Sequence, residues 1–152
     1  MGTRLFSLIM ILALAVLPGC SDDSDDNGIA AEELNSWSVL EAGGSHSLGI
    51  KSDGTLWAWG GNTQGQLGLG NWRDRFVPEQ VGTETGWVSV SAGGSHSMGI
   101  KSDGTLWTWG MNIDGQLGKG SRDSKRPGNT VPARPVLQTG WAAVAAGQSH
   151  SL

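Results

Sequence analysis

The chain repeats one stretch of sequence almost unchanged. SHSLGIKSDGTLWAWG spans Ser45 to Gly60, and SHSMGIKSDGTLWTWG spans Ser95 to Gly110, 50 residues later. When residues 37–70 are aligned with residues 87–120, 24 of 34 positions are identical, and Trp141 begins a third unit. Similar units at a period near 50 residues indicate a solenoid or a propeller, in which each unit buries its core against its neighbours.

The centre of the repeated stretch predicts a β-hairpin. Asp53-Gly54 lies between two runs of alternating apolar residues, and this pair suits both central positions of a two-residue turn. With that turn, Ile50 lies opposite Trp57 and Leu48 opposite Trp59, so the four side chains share one buried face. The same arithmetic in the second unit, around Asp103-Gly104, pairs Ile100 with Trp107 and Met98 with Trp109.

The segments on either side of the hairpin complete a four-stranded unit. WSVLEAGG (37–44), WVSVSAGG (87–94) and WAAVAAGQ (141–148) each predict a short strand. RFVPEQV (75–81) and TVPARPVL (130–137) predict edge strands, because their prolines would interrupt a central ladder. The 25 Gly and 8 Trp, with no Tyr, favour tight turns and packing around Trp over helices. Four strands per unit match a propeller blade.

The stretch AGGSHSLGIKSDGTLWAWGGNTQGQLG (42–68) resembles the repeat of the regulator of chromosome condensation family, in its AGxxHS turn, its DG hairpin and its WGxNxxGQLG close. The resemblance covers residues 37–152 and implies an all-β fold. We expect a partial β-propeller of about two to two and a half four-stranded blades, where the complete family fold has seven. The units are 37–86, 87–140 and a truncated 141–152. The residues assigned to the repeat scaffold are His46, Asp53, Gly54, Trp57, Trp59, His96, Asp103, Gly104, Trp107 and Trp109.

The first 19 residues predict an export signal peptide. Leu5 to Leu17 is apolar apart from Ser7, which is shorter than the roughly 20 residues of a membrane span. LPGC resembles the lipobox of bacterial lipoproteins, which implies lipid attachment at Cys20, preceded by the lipobox residues Leu17, Pro18 and Gly19. The alternative is an ordinary signal peptide or a buried helix with a chance cysteine.

Residues 20–34 predict a disordered acidic tether between the lipid and the repeats. Ser21 to Glu33 contains four Asp, two Glu and no basic residue, and such a segment lacks the apolar content to pack. Ser21 is also not the Asp that signals inner-membrane retention in lipoproteins. We therefore expect an exported protein anchored in the bacterial cell envelope, with the outer membrane or the cell surface favoured.

The charge of the repeats excludes some classes of function. Residues 35–152 hold nine Lys and Arg against eight Asp and Glu, which gives no electrostatic reason for binding nucleic acid. His46, His96 and His150 recur once per unit, and we expect each to bond to backbone at a strand end rather than to a metal. Serines beside these histidines also recur, whereas a nucleophile is normally unique. We predict no catalytic residue, no metal and no cofactor.

Trp72, in the NWRDR loop outside the repeated frame, is a candidate partner contact. The sequence therefore favours a non-catalytic protein-binding scaffold whose partner is unknown. Two alternatives stay open. The family resemblance implies a guanine nucleotide exchange factor for a small GTPase, and the Trp faces could serve a carbohydrate-binding or hydrolytic propeller.

The number of units bears on how the propeller is completed. Seven blades at this period need about 350 residues, so we expect the sequence to be a piece of a longer protein. The alternative is that identical chains associate if the chain truly ends at Leu152, because two or three units leave sheet edges and Trp faces exposed.

Overall fold

The computed structural model describes residues 36–123 and 128–152, and all regular secondary structure among them is β-strand. The predicted all-β class is therefore confirmed for this part of the chain. The strands are β1 (Trp37–Ala42), β2 (His46–Lys51), β3 (Leu56–Gly60), β4 (Arg75–Gln80), β5 (Trp87–Ala92), β6 (His96–Lys101), β7 (Leu106–Gly110) and β8 (Asn129–Ala133).

The strands form two sheets of identical topology. Blade 1 has the order β1-β2-β3-β4 and blade 2 the order β5-β6-β7-β8, with antiparallel neighbours throughout. The two proline-containing strands, β4 with Pro78 and β8 with Pro132, lie at sheet edges as predicted, because proline cannot donate to a second neighbour. The two sheets are blades of a partial β-propeller.

The predicted hairpin register is wrong by one residue. Lys51 and Thr55 close a three-residue loop, with Lys51 N donating to Thr55 O at 3.0 Å. Gly54 takes the left-handed conformation, with a φ of 77°, as expected for a three-residue hairpin loop. Ile50 therefore lies opposite Leu56 rather than Trp57. The loop has this form because the Asp53 carboxylate accepts bonds from both the amide and the hydroxyl of Thr55.

This register divides the apolar side chains between the two faces of each blade. One face of blade 1 carries fully buried aliphatic side chains, and the opposite face carries the Trp rings. The predicted single face shared by Leu48, Ile50, Trp57 and Trp59 is therefore corrected. The Trp rings lie over a glycine, since a Cβ at Gly49 would lie 2.6 Å from the ring of Trp37. The aliphatic face consists of Leu48, Ile50, Leu56 and Ala58.

The main core lies between the two blades. The aliphatic face of blade 1 packs against the Trp face of blade 2, where Trp87 is 3% exposed and Trp109 is fully buried. Full burial of a large apolar side chain contributes roughly 1.5–3 kcal/mol. The equivalent Trp37 on blade 1 is 38% exposed. Packing of unlike faces therefore makes each blade depend on its neighbour for its core.

The third unit differs from its prediction. Residues 141–148 do not form the expected strand but a single bridge between Ala146 and Ser151, in which Ala145 and Leu152 exchange backbone hydrogen bonds. The apolar side chains of this unit nevertheless cover the aliphatic face of blade 2, where Trp141, Val144 and Ala146 pack on Met98, Ile100 and Leu106.

Candidate functional site

A buried hydrogen-bond chain links the first two blades. Nε2 of His46 lies 2.8 Å from Oγ of Ser97 in the next blade, and this hydroxyl lies 2.7 Å from the backbone oxygen of Gln66. Because a carbonyl only accepts, Ser97 donates its hydrogen to Gln66 and accepts a bond from His46. The proton of neutral His46 is therefore on Nε2.

The same chain recurs one blade later. Nε2 of His96 lies 3.0 Å from Oγ of Ser151, which donates to the backbone oxygen of Gln116 at 2.7 Å. The expectation that these histidines bond to backbone is therefore wrong for Nε2, whose partner is a hydroxyl of the following unit. A pattern within one unit could not indicate this partner, because the bond depends on how two blades pack.

The histidines of these links stay neutral at physiological pH. Burial lowers the pKa of His46 from its ordinary 6.5 to about 4, and the like charge of His96 adds to the effect. Burial, with a like charge from His150, also lowers the pKa of His96, against a backbone interaction that raises it. In the described part of the chain, Nδ1 of both His46 and His96 is buried without a hydrogen-bond partner.

The pairing of His46 with Ser97 is not that of a catalytic serine. A nucleophilic serine donates its hydroxyl hydrogen to the histidine that activates it, whereas Ser97 donates to Gln66 and is fully buried. The arrangement therefore joins blades and offers no hydroxyl to a substrate. Over residues 36–123 and 128–152, no group of three or more His, Cys, Asp or Glu is placed to hold a metal ion.

The residues assigned to the hairpin also have structural contacts. The Asp53 carboxylate accepts from Thr55, and Oγ1 of Thr55 accepts a 2.9 Å bond from the Trp57 indole. The bonds from Thr55 lower the pKa of Asp53. Nζ of Lys51 lies 4.0 Å from the centre of the Trp57 ring and 5.5 Å from that of Trp37, within range of a cation–π contact. Asp103, Thr105, Trp107, Lys101 and Trp87 make the same contacts in blade 2.

Trp72 lies in a loop that buried groups hold in place. Nδ2 of Asn62, a fully buried side chain, donates to the backbone oxygens of Asn71 and Arg73 on either side of Trp72. The backbone amide of Asn62 donates to the Asp74 carboxylate at 2.7 Å. Trp72 itself is 49% exposed. The loop thus presents half of a large aromatic ring from a fixed backbone.

Two further apolar side chains follow at the start of β4. Phe76 is 95% exposed and Val77 is 68% exposed. The strand pairing explains this exposure, because Gly60 lies opposite Arg75 whereas Ala58 lies opposite Glu79, so β4 contains extra residues that bulge away from β3. We name Trp72, Phe76 and Val77 the β3–β4 patch. Sequence reasoning found only Trp72; the apolar pair before Pro78 in an edge strand was the signal for the other two.

The predicted lipid-attachment site cannot be placed in the fold. Cys20 and the lipobox residues Leu17, Pro18 and Gly19 lie outside the described residues. Among residues 36–123 and 128–152, no helix has the length and apolarity to cross a membrane.

Comparison with known proteins identifies the family of the repeat. Residues 53–100 and 103–152 match the family model of the regulator of chromosome condensation (RCC1) repeat, and residues 87–116 match a second model of the same description. The Ultraviolet-B receptor UVR8 of Arabidopsis thaliana is 46% identical over 48 residues, which are 32% of this chain and 11% of the receptor.

Solved structures show the same fold. Prp20p of Saccharomyces cerevisiae superposes with a TM-score of 0.65 at 21% identity, over 77% of this chain and 30% of Prp20p. Human WBSCR16 gives 0.61 at 22% identity, over 73% of this chain and 28% of that protein. The chain thus spans less than a third of each of these relatives. Because the repeat model matches more than half of its residues, the chain belongs to the regulator of chromosome condensation (RCC1) repeat family.

Proposed function

We propose that this chain is a non-catalytic protein-binding scaffold, held in the bacterial cell envelope by a lipid on Cys20. The observation that carries the binding role is the β3–β4 patch. Its three apolar side chains are exposed, Trp72 on a loop held by buried hydrogen bonds and Phe76 and Val77 on the bulged edge strand β4, outside the core of the blade. Exposed aromatic residues on a rigid backbone are the usual anchors of protein interfaces, since little conformational entropy is lost when they bind.

The relatives support the choice of a protein as the partner. Prp20p is described by its binding to Gsp1p and histones, and yeast RCC1 (Prp20) has been solved with Kap60 bound. The partners of this fold in those cases are proteins. We propose the same class of partner here, with the patch setting its identity, because loops vary while repeats preserve the scaffold.

The patch can be tested by photo-crosslinking in cells. A benzophenone amino acid placed at Phe76, which is nearly fully exposed, is expected to give one defined adduct with a partner protein. Trp72→Ala is expected to lower the adduct yield about tenfold, because aromatic anchors carry a large share of binding energy. The free energy of unfolding is expected to fall by only about 1 kcal/mol, since Trp72 is half exposed.

The control for this experiment is Arg122→Ala. Arg122 occupies the position equivalent to Trp72 in the second unit and is also exposed, so its replacement should leave the adduct unchanged. If the chain with benzophenone at position 76 and no other change gives no adduct, or if the adduct survives Trp72→Ala at full yield, the proposed role of the patch is contradicted.

The envelope anchor can be tested with Cys20→Ser. The full-length precursor is expected to incorporate labelled palmitate and to sediment with membranes, and the variant is expected to lose the label and appear in the soluble fraction, because acyl chains supply the anchoring energy. Ser21→Ala serves as the matched control and should keep the label. Labelling that persists in Cys20→Ser would rule out lipid attachment at this residue.

A further inference from the structure

A cavity of about 400 Å³ opens between blade 1 and blade 2, away from the hydrogen-bonded histidines. Its volume lies within the range of small-ligand sites. One wall comes from the end of β4 and the following loop in blade 1, and the other from β7 and β8 in blade 2. The side chains on which its chemistry rests are Leu69, Glu79, Glu84, Trp87, Trp107 and Pro132.

The lining combines aromatic surface with negative charge. Trp107 is half-buried and Trp87 is buried, while the side chains of Glu79 and Glu84 are 47% and 63% exposed. The described residues that line the cavity include no lysine or arginine, but Lys101 and Arg75, which lie outside this lining, pair with Glu84 and Glu79. Aromatic faces attract cations through the quadrupole of the ring, and carboxylates accept hydrogen bonds from ammonium or guanidinium groups. Both features favour a cationic occupant.

The chain itself contains a cation held by the same groups. Nζ of Lys101 lies 4.3 Å from the centre of the Trp107 ring and 4.9 Å from that of Trp87. The same ammonium forms an ion pair with Glu84. Glu79, on the other wall, forms an ion pair with Arg75; the side chain of Glu79 is 47% exposed and that of Arg75 is 20% exposed. Because an ion pair with a half-exposed partner is weak, the carboxylate can turn to an entering cation at little cost.

The two near-identical units differ at these positions. Leu69 in the first unit is replaced by Lys119 in the second. Glu79 lies opposite Ala58, and the residue opposite the equivalent Thr108 is Ala133. The second unit thus has a lysine where the first unit has Leu69, and an alanine where the first unit has Glu79. The acidic and aromatic combination belongs to the first interface and is not a requirement of the repeat.

We propose that this cavity receives a lysine or arginine side chain of the protein partner, which would lie against Trp107 and bond to Glu79. The inference rests on the proposed scaffold function and adds the chemistry of the partner surface, a basic one.

The test is a titration of the full chain, labelled with ¹⁵N in its indole groups, with N-acetyl-arginine amide and N-acetyl-lysine amide. The Trp107 indole resonance, identified by its loss in Trp107→Phe, is expected to shift with a dissociation constant on the order of 1–10 mM, as for a single side chain. N-acetyl-glutamine amide, which is neutral, is expected to cause no shift.

Two variants distinguish the effect of losing the Glu79 carboxylate from the effect of losing its ion pair with Arg75. Glu79→Gln is expected to weaken binding roughly threefold, and Arg75→Gln, which breaks the same ion pair but keeps the carboxylate, is expected not to weaken it. Absence of a shift, an equal shift with the neutral amide, or equal weakening by both variants would each overturn the proposal. If the chain with benzophenone at position 76 gives no adduct, the scaffold function is refuted instead, whereas an adduct without any Trp107 shift refutes the cavity alone.

Discussion

Trp109→Ala is expected to lower the free energy of unfolding by about 4 kcal/mol. Removal of a large buried aromatic side chain typically costs about 3–5 kcal/mol, because the apolar transfer energy is lost and a cavity is left. Trp109 is fully buried between the blades, and its ring centre lies 6.0 Å from that of Trp87. Its indole donates to the backbone oxygen of Gln66 at 2.8 Å, which still accepts from Ser97 in the variant.

Trp59→Ala provides the matched control. Trp59 holds the same position in blade 1 and contacts Trp37 at a 5.7 Å ring distance, but it is only partly buried in the described structure. Its replacement is expected to cost about half as much. Urea unfolding of the full chain at pH 7.5, followed by circular dichroism, measures both values. A loss below about 1 kcal/mol for Trp109→Ala would contradict the packing of blade 2 on blade 1.

The architecture could be predicted because the sequence contains the same repeat twice. Two copies with a DG turn, Trp-rich alternation and a proline-containing final segment define four strands per unit, and the edge positions of β4 and β8 follow from Pro78 and Pro132. The register could not be predicted as reliably. Both two-residue and three-residue loops suit Asp53-Gly54, and the bonds from Thr55 to Asp53 accompany the longer one.

The candidate site could be predicted from the sequence only where its residues lie within one unit. Trp72 stands out because the repeat does not account for it, and its exposure agrees with that interpretation. The serine partners of His46 and His96 and the cavity with Glu79 and Trp107 are made by two blades together. Their geometry depends on the offset between blades, about which the spacing of residues in one unit carries no information.

Acidification is expected to destabilise the fold well before its carboxylates titrate. In the unfolded chain His46 titrates near its ordinary 6.5, whereas in the folded chain its pKa is about 4. Above pH 6.5 the residue is neutral in both states and its contribution is complete. Below pH 6.5 only the unfolded chain gains the proton, so stability falls until the folded pKa is reached. From pH 7.5 to 4.5 the expected loss from His46 is about 2.5 kcal/mol.

His96 should add to this loss, because burial lowers its pKa in the same direction. Asp53 and Asp103, whose pKa values are lowered by hydrogen bonds, lose their contribution only below their ordinary 3.8, outside this range. Glu41, whose pKa is raised by burial, acts in the opposite sense. The wild type and a His46 variant share these groups, so the difference between their free energies of unfolding reports the contribution of His46.

The measurement is therefore urea unfolding of the wild type and of His46→Gln at pH 7.5, 6.5, 5.5 and 4.5. Glutamine carries an amide that can donate to Ser97 but does not titrate. Its stability is expected to fall by about 2.5 kcal/mol less than that of the wild type over this range, whatever its absolute value at pH 7.5. Parallel curves for the two chains would show that His46 is accessible to protons in the folded state, and the buried link between blades would then be wrong.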